Sequence, residues 1–150
     1  VNGTGPDPVA ARIAELQAKQ AAREEKRDAE AKGHELARLE LVDRFEEELG
    51  ALGRAFALVD CGPIGRGWIV VKPPELAPHK RYQAALQRAV IKEQGIDTAE
   101  MHAYAATCIA HPAREEFNGL AAKHPGVVGR VVDAANYLAT GRRDREEGKF

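Results

Sequence analysis

Residues 55–72 read AFALVDCGPIGRGWIVVK, and this stretch decides the fold. Its flanks hold Phe56, Leu58 and Val59, then Trp68, Ile69, Val70 and Val71, residue types that suit a pleated, half-buried strand. Between them, Gly62-Pro63-Ile64-Gly65-Arg66-Gly67 is turn chemistry, so the two runs predict an antiparallel hairpin. With a period of two, Phe56, Leu58 and Asp60 fall on one face of the first strand and Ala57, Val59 and Cys61 on the other. The second run is apolar on both faces, as expected of a strand covered on both sides by helices. Lys72-Pro73-Pro74 ends it, because proline cannot donate to the ladder. A two-stranded hairpin alone is marginal in water, so the flanking helices must carry it.

Upstream, Asp7 and Pro8 form a helix start, and almost every residue from Val9 to about Gly50 is a good helix former. Val9, Ile13 and Leu16 share a face, but between Leu16 and Leu36 nothing larger than alanine is available for packing. Pairs such as Glu15–Lys19, Lys26–Glu30 and Asp28–Lys32 each support helix by about 0.2–0.5 kcal/mol. Gly33 weakens it by roughly 1 kcal/mol relative to alanine. The large a and d residues of a strong coiled coil are missing. Residues 1–35 are therefore expected to be an extended, charged helix, partly frayed, that either projects or pairs weakly with a second copy. From there Leu39, Val42, Phe45, Leu49 and Leu52 predict one apolar stripe, and Gly50 and Gly53 supply stop signals.

Downstream, four helices are predicted. The first, 78–93, carries Tyr82, Leu86, Ala89 and Val90; the second, 98–110, is capped by Asp97 with Glu100 three residues on, and carries Met101, Tyr104, Ala105, Cys108 and Ile109. The third, 112–122, presents Phe117, Leu120 and Ala121; the fourth, 126–140, presents Val128, Val131, Ala135 and Leu138 before Gly141. The expected fold is α+β, mostly α: a long N-terminal helix, one hairpin, and a compact bundle of four short helices. Residues 36–141 form the globular domain and 142–150 a flexible tail.

Composition narrows the function. The 44% hydrophobic content is inflated by 27 alanines, and the net charge is −1. Residues 11–48 hold eight Lys or Arg against eleven Asp or Glu, whereas residues 49–150 hold fourteen against eleven. That balance lacks the field of a general nucleic-acid binder; local groups at Lys80, Arg81 and Arg88, and at Arg142 and Arg143, are the candidate contacts for that alternative. Two cysteines make no disulfide framework, and neither a secretory signal nor an apolar run of membrane-spanning length is visible, which suggests a cytoplasmic protein.

Catalytic chemistry finds little purchase. The chain has no serine, which weakens serine-hydrolase readings. His102, Cys108 and His111 contain a single pair at metal-ligand spacing, and Cys108 falls on an apolar stripe, so no metal or cofactor is expected. The loop Gly62-x-x-Gly65-x-Gly67 leads into a strand and not a helix, which favours a hairpin connection over a phosphate cradle. His111 and His124 each precede a proline at a helix start.

From the hairpin onward, the order VVKPP, KRYQAAL, CIAHP and REEFNGLAAKHPGVVGRVVDAANYLATG is similar to small tail-assembly-chaperone-like proteins of tailed phages and prophages. The resemblance covers about residues 55–141. It implies a non-enzymatic protein that helps build a tail through protein–protein contacts, with other assembly proteins, such as the tape measure, as partners. On the residues, partner binding is expected at the hairpin, through Phe56, Leu58, Ile64, Arg66 and Trp68, with its edge open to an added strand. The alternative is a small nucleic-acid-binding or regulatory adaptor.

Overall fold

A three-stranded antiparallel sheet lies between helices. Strand β1 (Ala57–Asp60) pairs with β2 (Trp68–Val71) in the register Ala57↔Val71 through Asp60↔Trp68, the hairpin predicted from residues 55–72. On its other side β2 pairs with β3 (Ile109–His111), so the strand order is β1-β2-β3. The structure, a computed structural model, describes residues 5 and 7–140. Its helices are α1 (Pro8–Glu48), α2 (Leu76–Ile91), α3 (Thr98–Thr107), α4 (Arg114–Lys123) and α5 (Gly126–Ala139). The fold is thus α+β and mostly α. Among the described residues no helix is long and apolar enough to cross a membrane.

Strand β3 corrects the sequence reading, which extended the helix of α3 to residue 110. Met101 through Ile109 keep helical spacing, yet the helix stops at Thr107 with Cys108 as its cap. The open side of β2 takes over: Lys72 N–H donates to Cys108 O at 2.9 Å, and Val71 pairs with Ile109. His111 is held extended by the proline that follows it, and α4 begins at Arg114 rather than at residue 112.

The alternation along the strands sorts two cores. Ala57, Val59, Cys61, Ile69 and Val71 face one cluster with Tyr82, Tyr104, Phe117 and the apolar side of α5. Leu58, Trp68 and Val70 face a second with Phe45, and Phe56, Leu41 and Val42 pack around it. Ile69, Val70 and Val71 are each at most 1% exposed, and burying such a side chain contributes roughly 1.5–3 kcal/mol.

The chain divides into two units, Val1–Leu36 and Ala37–Phe150. In the first, α1 is capped by Asp7 Oδ1, which accepts from Val9 N–H at 2.9 Å, and the helix runs unbroken through Gly33. Val9, Ile13 and Leu16 are exposed, and Glu15 pairs with both Arg12 and Lys19 at 3.0 Å, which holds its carboxyl below the ordinary value. In the second unit, residues 37–48 of α1 bury Phe45, flanked by Ala37, Leu41, Val42 and, just beyond the helix, Leu49. Leu39 and Leu52, predicted on that stripe, are 50% and 68% exposed. The same correction applies to α2, where Tyr82 and Ala85 are buried but Val90 is 76% exposed.

Candidate functional site

The hairpin connection binds its own backbone. Gly62 N–H donates to Asp60 Oδ1 at 2.7 Å, Gly65 N–H to Gly62 O at 2.9 Å, and Arg66 N–H to Cys61 O at 2.9 Å. These are donors a phosphate cradle would need to aim outward. Gly65 adopts φ 73°, the left-handed turn conformation that glycine permits.

The predicted partner-binding residues do not form one open surface. Leu58 and Trp68 are buried in the Phe45 cluster, Phe56 is half-buried with its ring centroid 6.1 Å from that of Phe45, and Ile64 is half-buried against the other core. Only Arg66 is exposed. The edge expected to accept a strand is closed as well. Cys61 N–H donates to Gly67 O, so alternate residues of β1 turn their backbone groups toward β2, and those of Leu58 and Asp60 turn outward. Asp60 O accepts from the Arg130 guanidinium on α5, and Leu58 is 0% exposed. The accessible edge is β3, whose three residues are half-exposed.

Two concavities stand out among the described residues. The larger is a groove of about 850 Å³ among α2, α3 and α4, lined also by Pro125 and Val128. Ala85, Ala99, Ala103, Ala106, Ala121 and Ala122 line it, so much of its wall is apolar and made of small side chains. Arg81 and Arg114 line it also, as do His102, whose Nε2 donates to Asn118 Oδ1 at 2.7 Å, and Glu100, which pairs with Arg88 at 3.6 Å. Its inner wall includes Tyr82 and Tyr104, stacked at 4.3 Å with 4° between their planes. The Tyr104 hydroxyl donates to Asn136 Oδ1 at 3.3 Å and stands 3.1 Å from His79 Nδ1. Burial pushes the Tyr104 hydroxyl well above its ordinary pKa and raises that of Tyr82 too, so both remain neutral hydrogen-bonding groups.

The smaller concavity, of about 410 Å³, joins the hairpin to β3 and α4, and brings together Arg66 and Trp68 with His111 and Pro112. Burial, reinforced by the Arg44 charge, holds His111 below its ordinary pKa, against an opposing pull from Glu116.

The other residues singled out from the sequence are dispersed. Cys61 and Cys108 are buried free thiols, and burial raises both, which disfavours the nucleophilic thiolate. Among the described residues no three His, Cys, Asp or Glu gather where they could hold a metal ion. Of the basic residues weighed for nucleic acid, Lys80 and Arg81 sit on α2 and Arg88 is engaged with Glu100, while Arg142 and Arg143 lie outside the described residues. Sequence reasoning missed the alanine groove, because isolated alanines on three helices carry no local motif. No family model matches the chain, and no curated protein or solved structure matches it significantly.

Proposed function

We propose that the chain is a non-enzymatic assembly protein of the tail-assembly-chaperone type, acting in the host cytoplasm by holding a segment of another tail protein. The observation that carries this reading is the groove among α2, α3 and α4. Small side chains along a groove allow another backbone to approach closely, and the apolar lining supplies the driving force for a helical or extended client. Arg81 and Arg114 would set its orientation. The resemblance of residues 55–141 to tail-assembly-chaperone-like proteins supplies the class of client, with a tape-measure segment as the first candidate.

The test is co-expression of the full chain with the tape-measure and tail-tube proteins of its own genome, followed by co-purification. Retention of one of them by the wild-type chain, lost in Ala103→Trp, is the expected result; Ala103 is exposed in the groove, so the substitution fills the groove and spares the core. Failure of both tail proteins to co-purify refutes the reading.

A further inference from the structure

The smaller concavity is lined by two glycines that the fold does not require. Gly119 lies within α4, where glycine is unfavourable relative to alanine, and Gly67 immediately precedes β2. Neither adopts a positive φ, and a Cβ added at either would meet nothing within 4 Å. Backbone conformation and internal packing therefore demand glycine at neither position. Both line the same 410 Å³ concavity, where the missing side chains leave room.

The chemistry around that space is convergent. Trp68, Pro112 and Leu120 are the apolar side chains at its lining, Ile69 being buried in the core on the other face of β2. On α4, Glu116, Gly119 and Lys123 are spaced +3 and +4 and share a face, with Glu116 and Lys123 about 10 Å apart along the axis, too far to neutralise one another. Arg66 contributes a second cation from the hairpin, and among the described residues neither Arg66 nor Lys123 enters an ion pair. Arg44, outside the lining and paired with Glu48 at 3.1 Å, and Glu116 act in opposite directions on His111. The lining thus carries two cations, Arg66 and Lys123, against one carboxylate, Glu116.

We infer that the space kept open by Gly67 and Gly119 beside Arg66, Trp68 and Lys123 is a peptide-binding pocket that takes an apolar side chain flanked by acidic residues on a partner protein. A polypeptide fits better than a free small acid, because the lining includes His111 of the half-exposed edge strand β3, along which a chain can run. The inference rests on the reading of the chain as a protein-binding protein, though not on the client being a tail protein.

Trp68 is the only tryptophan, so its emission reports directly on occupancy. The full chain is titrated with the capped peptide Ac-Gly-Glu-Leu-Glu-Gly-amide, with Ac-Gly-Lys-Leu-Lys-Gly-amide as the charge-reversed control. The expected result is a saturable shift with the acidic peptide, at least about tenfold weaker with the basic one and about tenfold weaker after Arg66→Ala with Lys123→Ala. Gly119→Leu should abolish the shift while circular dichroism shows the helix content retained, and Gly119→Ala should raise the melting temperature. Equal response to both peptides, unaltered binding by Gly119→Leu, or no saturable change at about 10 mM peptide overturns the inference. Peptide binding with no tail protein co-purified would leave this pocket standing and remove only the tail assignment.

Discussion

Truncating Phe45 to alanine should cost about 3–5 kcal/mol of unfolding free energy, a cost typical of a buried aromatic residue. Phe45 is 2% exposed and is the one residue of α1 that is fully buried. Its transfer out of water accounts for roughly 1.5–3 kcal/mol. The tilted contact with Phe56 at 6.1 Å adds about 0.5–1.5 kcal/mol. The Arg44 guanidinium, 4.9 Å from the ring centroid, adds about 0.5–1 kcal/mol as expected of an exposed cation–π pair. Against a domain stability of about 5–15 kcal/mol, the loss would be large. Urea unfolding followed by Trp68 emission measures it in the right place, since Trp68 lies in the same cluster. Leu39→Ala is the control. Periodicity places Leu39 on the same stripe, but at 50% exposure its loss should stay within about 0.5 kcal/mol. A Phe45→Ala cost below about 1 kcal/mol, or a Leu39→Ala cost equal to it, would refute the packing of residues 37–49 over the sheet.

Three further outcomes are expected. Asp97→Ala should cost about 1 kcal/mol in urea melts, because Asp97 Oδ1 accepts from Ala99 N–H at 3.0 Å and nothing replaces it; an unchanged midpoint would show the cap to be idle. Cys61 and Cys108 should react with a disulfide reagent only as fast as the protein opens, and both should be titrated at once in urea; rapid labelling of either thiol in the native state would contradict its burial. His111 has its folded pKa below the ordinary 6.5, through burial and then the Arg44 charge, so the unfolded chain takes up the proton first. Its contribution to stability is full above about pH 6.5 and declines as pH falls toward the folded value, so the urea midpoint should drop between about pH 7.5 and 5.5. His111→Gln should flatten that drop, and parallel curves for variant and wild type would rule the assignment out.

Local chemistry made most of the architecture legible. The 55–72 hairpin has strand residues, turn residues and period-two alternation pointing one way, and its two faces do meet two different cores. The same holds for α5, whose Val128, Val131, Ala135 and Leu138 are all buried. Strand β3 was not legible, since residues 101–109 satisfy helical spacing and only the unfilled side of β2 converts the last of them to strand. Leu39 and Leu41 illustrate a related limit: both suit a helical stripe, and the direction of approach to the sheet decides that Leu41 is half-buried and Leu39 exposed. The concavities were beyond reach for a similar reason. Arg66 and Trp68 were singled out, but the elements that make a pocket of them, β3 and α4, lie more than forty residues later.

The three-stranded sheet offers a partner two faces and two edges, and here three of the four are closed. One face carries the cluster of Phe45 and the other the cluster of Phe117. The outer side of β1 has its Asp60 carbonyl held by Arg130 and Leu58 wholly buried. What is left is β3, three residues long, irregular in its pairing with β2 and ended by Pro112, which gives too short a ladder for main-chain hydrogen bonds to supply much affinity. On the proposed reading, recognition of a partner would come chiefly from side chains entering concavities, and each of the two described has apolar lining with two cations and one carboxylate, Arg81, Arg114 and Glu100 in the larger and Arg66, Lys123 and Glu116 in the smaller. If the chain holds a client as proposed, an apolar segment with acidic neighbours would suit these two concavities better than a strongly basic one.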